Sequence, residues 1–291
     1  MKQGVLITAF NEFGLLKKLI DFFDDDFSIF IFLDKKSNFS QGQIETIKNT
    51  KNVVFFTQPY NVNWGGPKQL KSRLLLAEEA VKHTDLEYFH FITGQDYPIK
   101  SCDYMKKFLM ANKGKEFILK TELPKKEWVG NGGLDRLRYF YLYDFFNVKT
   151  RIGRKLINWS LKIQKSLQIN RKLPKGFPKL YGGSPFWTLS YPCLKYVVEY
   201  TKENPKVLKR FDFCYAATEI YFQTIIMNSV FRENVVNKGL RYIDWHRKHK
   251  SSPAILDETD YEKLLASDAF FARKFKIPIS EKLMFMLDEN R

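Results

Sequence analysis

The stretch GVLITAFNEFGLLKKLIDFFDDDFSIFIFLD, residues 4–34, decides the fold class of this chain. Its two ends, GVLITAF and FSIFIFLD, are short continuous apolar runs, which are typical of strands buried on both faces of a sheet. Between them, FGLLKKLIDFF carries apolar residues at helical spacing. A buried strand, a helix and a second buried strand in this order predict a β-α-β unit with parallel strands.

The same alternation continues through residues 35–121. We predict further elements in turn at SQGQIETIKNT (40–50, helix), NVVFFT (52–57, strand), PKQLKSRLLLAEEAVKHT (67–84, helix), YFHFITG (88–94, strand), SCDYMKKFLMANK (101–113, helix) and EFILKT (116–121, strand). This order predicts an α/β fold with a mainly parallel central sheet flanked by helices. Because the sequence shows no linker and no internal repeat, we expect a single domain over residues 1–291.

Ligands of such sheets bind at the carboxyl ends of the strands. The candidate site residues are therefore those directly after three of the strands, at positions 8–11, 34–37 and 93–96. Neither GxGxxG nor GxxxxGKS/T follows the first strand, so the sequence does not favour a dinucleotide site or a P-loop.

Composition limits the class of protein. With 44% hydrophobic residues, the chain can bury a sizeable core. The three cysteines, Cys102, Cys193 and Cys214, have neither zinc-site spacing nor an even number, which favours a reducing cytoplasm. No apolar run of about 18 residues occurs, so we expect no membrane-spanning segment and no signal peptide.

The net charge is 48 minus 32, or +16, and much of it lies in one region that has no Asp or Glu, Phe145 to Val198. We predict a helix over residues 149–167. One face of this helix would carry the apolar residues Ile152, Leu156, Trp159, Ile163 and Leu167. Another face would carry the cations Arg151, Arg154, Lys155, Lys162 and Lys165. The pattern is typical of a helix in peripheral contact with an anionic membrane. It fits equally well a surface helix whose apolar stripe packs on the core, because periodicity does not distinguish the two.

Several strings, taken together and in order, resemble one family. They are FLDKKS (32–37), NWGGPKQLKSRLLLAEEAV (63–81), HFITGQDYPIKS (90–101), GGSPFWTLSYPCLKYV (182–197), ATEIYFQTII (217–226), LRYIDW (240–245) and ASDAFFARKF (266–275). The chain from about residue 4 to residue 276 resembles the core-2/I-branching β-1,6-N-acetylglucosaminyltransferases, a glycosyltransferase family that includes the peptide-O-xylosyltransferases.

The resemblance implies a Rossmann-like GT-A fold, with a nucleotide-sugar-binding half near residues 1–120 and an acceptor and catalytic half near 121–291. It implies an inverting, metal-independent glycosyltransferase that moves one sugar from a UDP-sugar to a glycan hydroxyl. GlcNAc is the first candidate for that sugar and xylose is the second. Since the chain lacks the membrane anchor and disulfides of the family's animal Golgi members, we expect a bacterial, cytoplasmic version. Its acceptor would be a surface polysaccharide or lipid-linked oligosaccharide at the inner membrane face.

The resemblance assigns the catalytic base to Glu219, which takes the proton of the attacking hydroxyl. We expect this residue at a helix N-terminus, which favours a negative charge. Without the resemblance, a glutamate in the first turn of a helix is more readily a structural residue that stabilises its helix.

The resemblance places the diphosphate on Arg273 and Lys274, so that no metal or other cofactor is needed. The alternative for this pair is an exposed basic turn. A second basic residue expected near 250–252 is not identified, because the sequence there reads Lys-Ser-Ser. The single Asp-x-Asp, Asp24 to Asp26, fits a solvated turn.

The remaining donor-binding residues implied by the resemblance and by the strand ends are Thr8, Ala9, Asn11, Asp34, Trp64, Gly65, Gln95 and Asp96. Asp34 would bind the base or ribose, or else form its own turn, and Asp96 would reach the diphosphate-sugar, or else brace the turn before Pro98. Trp64 and Gly65 fit a simple lead-in to the next helix nearly as well.

The implied acceptor-binding residues are Arg136, Trp187, Tyr242 and Asp244. A buried core tryptophan is an equal alternative for Trp187.

Two other classes of protein stay open at this point. A nucleic-acid-binding protein would explain the charge, although no RRM, KH or helix-turn-helix signature appears, so we expect no nucleic-acid partner. A non-catalytic sugar- or membrane-binding module would keep the basic helix without needing Glu219.

Overall fold

The computed structural model describes residues 1–290. Its strands are β1 (Gln3–Ala9), β2 (Phe27–Leu33), β3 (Val53–Thr57), β4 (Tyr88–Thr93), β5 (Asp96–Pro98), β6 (Glu116–Ile118), β7 (Thr121–Glu122), β8 (Tyr181–Gly182), β9 (Trp187–Ser190), β10 (Val235–Val236), β11 (Arg241–Ile243) and β12 (Phe271–Arg273).

The α-helices are α1 (Phe13–Asp21), α2 (Gln41–Lys48), α3 (Lys68–Ala80), α4 (Cys102–Ala111), α5 (Asp135–Arg138), α6 (Arg151–Ser166), α7 (Tyr191–Glu203), α8 (Pro205–Arg210), α9 (Tyr221–Met227), α10 (Tyr261–Ala266) and α11 (Glu281–Glu289). Short 3-10 helices lie at Ala217–Glu219, Val230–Asn234 and Glu258–Asp260.

The central sheet has seven strands in the order β10-β6-β9-β4-β1-β2-β3. Strand β1 is parallel to both β2 and β4, and β2 is parallel to β3, whereas β9 is antiparallel to β4 and β6. The expected α/β fold with a mainly parallel, helix-flanked sheet is therefore confirmed. Apolar side chains on both faces of β1 and β2 are buried, which explains their continuous apolar runs.

A second, three-stranded sheet has the order β11-β12-β5. Strand β12 is parallel to β11 and antiparallel to β5, and this register places Arg273 opposite Asp96. The sheet holds the carboxyl-terminal part of the chain against the end of β4. The sequence patterns did not predict it, because each of its strands has only three residues.

Helix α6 confirms the helix predicted over residues 149–167. Of the two alternatives for its apolar stripe, the structure does not show packing on the core. The residues that it buries are Gly153, Ile157 and Gln164. The side chain of Gln164 exchanges hydrogen bonds with the backbone of Phe140. Most of the predicted apolar stripe faces solvent, with Trp159 63% exposed. No helix within residues 1–290 has both the length and the hydropathy to cross a bilayer.

Candidate active site

A cavity of about 400 Å³ opens at the carboxyl ends of β1, β2 and β4. Its wall includes eight of the ten predicted donor-binding residues, namely Thr8, Ala9, Asn11, Asp34, Trp64, Gln95, Arg273 and Lys274. These residues come from five separate parts of the sequence. Those that follow β1, β2 and β4 meet at one edge of the parallel sheet, as the strand-end rule predicts, whereas Arg273 and Lys274 come from the end of β12 in the second sheet. Gly65 and Asp96 do not line the cavity.

Asp34 fixes the loop beside the cavity. Its Oδ1 accepts hydrogen bonds from the backbone N–H of Lys36 at 2.9 Å and of Val62 at 3.3 Å. The ammonium group of Lys36 in turn donates to the carbonyl of Val62 and to Asn63. Asp34 therefore forms its own turn and also borders the cavity, so both interpretations of this residue fit the geometry.

Gly65 joins the cavity loop to the segment that carries Glu219. Its carbonyl accepts a hydrogen bond of 2.8 Å from the backbone N–H of Ala216, and it has a φ of 77°. A Cβ at this position would lie 2.9 Å from the ring of Tyr215, so the position requires glycine. Gly65 contacts Tyr215 and Ala216 and does not line the cavity, so its contact with the donor stays a prediction.

Asp96 is fully buried and holds Arg273 in place. Its Oδ2 accepts hydrogen bonds from the backbone and hydroxyl groups of Thr93, and its Oδ1 lies 3.1 Å from Nη1 of Arg273. The same nitrogen donates to the Thr93 hydroxyl. Asp96 therefore positions Arg273 and braces its turn, which is the structural alternative that the sequence left open for this residue.

Three further cations line the cavity, namely Lys36, Arg73 and Lys149. Lys36 lies within the predicted positions 34–37, whereas the site prediction missed Arg73 and Lys149. The guanidinium of Arg73 donates to the carbonyl of Pro185 at 2.7 Å and lies 4.1 Å from the ring centre of Phe91. The signal for Arg73 was present, since it is a charged residue on the apolar face of α3 between Leu70 and Leu74. Residues 250–252, where a second diphosphate-binding cation was expected, do not line the cavity.

Positive charge accumulates in this cavity. Burial lowers the pKa of Lys274, and the neighbouring Arg273 and Lys149 lower it further. Burial also lowers the pKa of Arg73 to about 9, against the opposing charge of Glu219. Such a group of cations, short of anions, fits a ligand with several negative charges.

Glu219 is the last residue of a 3-10 helix and lies two positions before the first residue of α9, Tyr221, so it is beside a helix N-terminus as expected. Its Oε2 accepts a hydrogen bond of 2.6 Å from Nη1 of Arg136, and its side chain is 33% exposed. The guanidinium of Arg136 lies between the rings of Trp128 and Tyr215, with distances to the ring centres of 4.0 and 5.2 Å. Arg136 therefore holds the Glu219 carboxylate.

Glu219 does not line the cavity itself, but two connections bring it near. The ring of Trp64, in the cavity wall, lies 6.0 Å from that of Tyr215, which contacts Arg136. Arg73 lines the cavity and interacts electrostatically with Glu219. The carboxylate is thus linked to the cavity wall through Arg136, Tyr215 and Trp64.

Trp187 is fully buried, with its ring centre 5.7 Å from Phe91 and 5.1 Å from Phe222. It has no surface to offer an acceptor, so the acceptor-binding expectation for Trp187 is corrected in favour of the core alternative. Tyr242 and Asp244 lie on and after β11, and neither lines the cavity. Asp244 accepts a hydrogen bond from the backbone N–H of His246 at 2.9 Å.

The Asp24–Asp26 turn lies between α1 and β2 and is paired with lysines. Lys106 contacts both Asp24 and Asp26 at 2.9 Å, and Lys51 pairs with Asp25. Within residues 1–290, no three His, Cys, Asp or Glu side chains are grouped in a way that could hold a metal ion.

With this geometry established, the chain can be compared with known proteins. A family model described as Core-2/I-Branching enzyme matches residues 5–265. This chain belongs to the Core-2/I-branching enzyme family. The expected membership of this glycosyltransferase family is therefore confirmed.

Relatives of this Core-2/I-branching enzyme include xylosyltransferase 1 of Mus musculus, which is 25% identical over 299 residues covering 96% of this chain and 29% of that protein. Xylosyltransferase oxt of Drosophila pseudoobscura pseudoobscura is 25% identical over 281 residues, covering 89% of this chain and 30% of that protein. The chain thus spans less than a third of the length of these relatives.

Among solved structures, S. aureus TarS matches with a TM-score of 0.32 and 18% identity, covering 41% of this chain and 21% of that chain. A structure of S. aureus TarS 1–349 in complex with UDP-GlcNAc matches with a TM-score of 0.31 and 18% identity, covering 42% of this chain and 35% of that chain. Similarity at this level is too weak to inform the function of this Core-2/I-branching enzyme.

Proposed function

We propose that this Core-2/I-branching enzyme transfers a sugar from a UDP-sugar to a hydroxyl of a glycan acceptor, with inversion and without a metal ion. The observation that carries the proposal is the group of cations along one cavity at the carboxyl ends of parallel strands: Arg73, Lys149, Arg273 and Lys274. Fixed cations can bind a diphosphate and stabilise the charge that develops on it as it leaves.

The proposed donor extends across the cavity. Its diphosphate contacts Arg273 and Lys274, and its uridine lies against the ends of β1 and β2, near Thr8, Ala9 and Asn11. Asp34 then accepts hydrogen bonds from the base or ribose, much as carboxylates after strands do in other nucleotide-binding folds. Gln95 lies close to the sugar end.

The proposed base is Glu219. The acceptor oxygen bonds to the anomeric carbon while the bond from that carbon to the diphosphate breaks, and UDP leaves with the electron pair. Glu219 takes the acceptor proton. Its Oε2 is held by Arg136, whereas its Oε1 accepts no hydrogen bond from any group in residues 1–290, which leaves that oxygen available for the proton.

N-acetylglucosamine is the first candidate for the transferred sugar. Xylose is the second candidate, because the relatives described above are named xylosyltransferases. The proposed acceptor is a surface polysaccharide or lipid-linked oligosaccharide at the cytoplasmic face of a membrane. Exposed apolar side chains on α6, next to the cavity, support an acceptor of this kind.

Calorimetry with UDP, UDP-GlcNAc and UDP-xylose in EDTA tests the donor site. We expect binding in EDTA, a loss of at least tenfold in UDP affinity in Arg273→Met, and no loss in Lys238→Met. Lys238 is a fair control because it pairs with Asp268 and lies outside the cavity. Binding that requires manganese would contradict the metal-free proposal, whereas binding without any turnover would favour the non-catalytic sugar-binding module.

A further inference from the structure

Helix α6 presents an unusual number of large apolar side chains to solvent. Ile152, Trp159 and Leu167 are 73%, 63% and 66% exposed, and Leu156 lies on the same face. Phe145, just before the helix, is 69% exposed. Contiguous exposed apolar side chains on a monomer mark a site of interaction with another surface.

The face of α6 next to this apolar stripe is strongly basic. It carries Arg151, Arg154, Lys155, Lys162 and Lys165. Within residues 1–290, none of these five cations pairs with a carboxylate, and no Asp or Glu occurs from Phe145 to Val198. Unpaired cations beside an apolar stripe are complementary to a surface that has an anionic outer layer and an apolar layer beneath it.

The helix is closely connected to the cavity wall. Thr150 caps its N-terminus, and Asn147 and Lys149, directly before it, line the cavity. A Cβ at Gly153 would lie 2.1 Å from the carbonyl oxygen of Asn147, so the helix contacts this wall backbone to backbone. A surface bound by α6 is therefore connected to the cavity wall through Asn147 and Lys149.

We propose that α6 binds an anionic phospholipid surface, lying in the headgroup plane with Ile152, Leu156, Trp159 and Leu167 inserted. The lipid contact stands on α6 alone. The consequence that the cavity then faces an acceptor at the membrane rests on the proposed function. A bilayer fits better than a protein because the cations are spread along the whole helix without any acidic residue among them, as a uniformly anionic surface requires.

Co-sedimentation with vesicles, in the absence of donor and acceptor, tests the lipid contact. We compare vesicles of phosphatidylcholine alone with equimolar phosphatidylcholine and phosphatidylglycerol. The wild type is expected to bind the anionic vesicles at least tenfold more tightly, and added NaCl should weaken this binding. Trp159 reports insertion directly, as a blue shift in fluorescence that is absent in Trp159→Phe.

Two double variants test whether vesicle binding depends on the apolar stripe of α6 or on exposed apolar side chains in general. Ile152→Ser with Trp159→Ser is expected to lose at least tenfold in vesicle affinity. Val230→Ser with Phe285→Ser, which removes two side chains that are 81% and 65% exposed elsewhere, should bind as the wild type does. Circular dichroism and thermal unfolding should match the wild type in both variants, which shows that they are folded without relying on UDP binding and keeps this test separate from that of the proposed function.

Failure of the wild type to bind either vesicle, or equal binding by the stripe variant, would overturn the proposal. So would light scattering that shows a dimer for the wild type and a monomer for the stripe variant, since α6 would then contact a second copy of the chain.

Discussion

The guanidinium of Arg136 lies 2.6 Å from the carboxylate of Glu219, measured from Nη1 to Oε2. The two residues are far apart in the sequence, on α5 and at the end of a 3-10 helix, and the rings of Trp128 and Tyr215 enclose the arginine between them. This contact fixes the orientation of the proposed base.

Replacing Arg136 should therefore lower turnover without weakening the binding of UDP. In Arg136→Met we expect kcat to fall on the order of 10²-fold, because a misplaced base loses its alignment with the attacking hydroxyl. UDP affinity should stay the same, since Arg136 does not line the cavity. Steady-state kinetics and calorimetry measure the two effects. Arg138→Met is the control, because Arg138 is 42% exposed and lies 4.0 Å from its partner Asp135. An equal loss in both variants would indicate a merely structural effect.

Removing the charge of Asp96 should weaken both the fold and the diphosphate site. In Asp96→Asn, the Arg273 guanidinium loses its buried carboxylate, so we expect a decrease of about 1–3 kcal/mol in the free energy of unfolding. UDP affinity should decrease as well, because Arg273 is no longer held toward the cavity. Urea unfolding and calorimetry test this prediction, and unchanged UDP affinity would contradict the positioning role of Asp96.

The affinity for UDP should decrease at alkaline pH. The pKa of Lys274 in the free protein is lowered by burial and by neighbouring cations, and a bound diphosphate would raise it again. The affinity for UDP is then at its maximum below the pKa of Lys274 in the free protein, and it decreases as the pH rises above that pKa. The decrease begins at a pH below the ordinary lysine pKa of 10.5. Calorimetry across pH measures the decrease. Lys274→Arg should move it to higher pH, and an identical profile in that variant would rule out Lys274 as its cause.

Replacing Trp187 should affect stability but not donor chemistry. The side chain is fully buried, and its indole nitrogen has no hydrogen-bond partner within residues 1–290. In Trp187→Phe we expect a loss of about 1–3 kcal/mol from the smaller buried volume, with UDP binding and donor hydrolysis unchanged. A selective loss of donor hydrolysis, with stability intact, would place Trp187 at the site after all.

The sequence was sufficient for the parallel part of the central sheet, because β1, β2, β3 and β4 are apolar runs and their order along the chain implies parallel pairing. It did not predict the short strands β9 and β10 of the same sheet. The strand-end rule then located nine of the nineteen residues in the cavity wall. The exceptions have physical reasons. For Asp96 and Trp187 the sequence left a ligand-binding role and a buried structural role both open, because sequence alone does not show which polar or aromatic side chains are buried. The contact of Arg136 with Glu219 depends on tertiary packing, and no local pattern indicates it.

Helix α6 shows a different limit of sequence reasoning. Periodicity predicted both its position and its apolar face, but the same pattern fits core packing and lipid contact. The structure shows that Ile152 and Trp159 are exposed, and that Ile157 and Gln164 form the buried side instead. Burial, which the sequence does not encode locally, distinguishes the two arrangements.

The release of UDP from UDP-GlcNAc and UDP-xylose in EDTA, by the wild type and by Glu219→Gln, tests the central claim most directly. Slow release by the wild type should be unaffected by EDTA, and it should fall roughly 100-fold or more in Glu219→Gln, since a general base contributes at least that factor. UDP affinity should be unchanged, and Glu233→Gln, whose side chain is 81% exposed, should match the wild type. Full activity of Glu219→Gln, or release only with manganese, would contradict a metal-free transferase with Glu219 as its base.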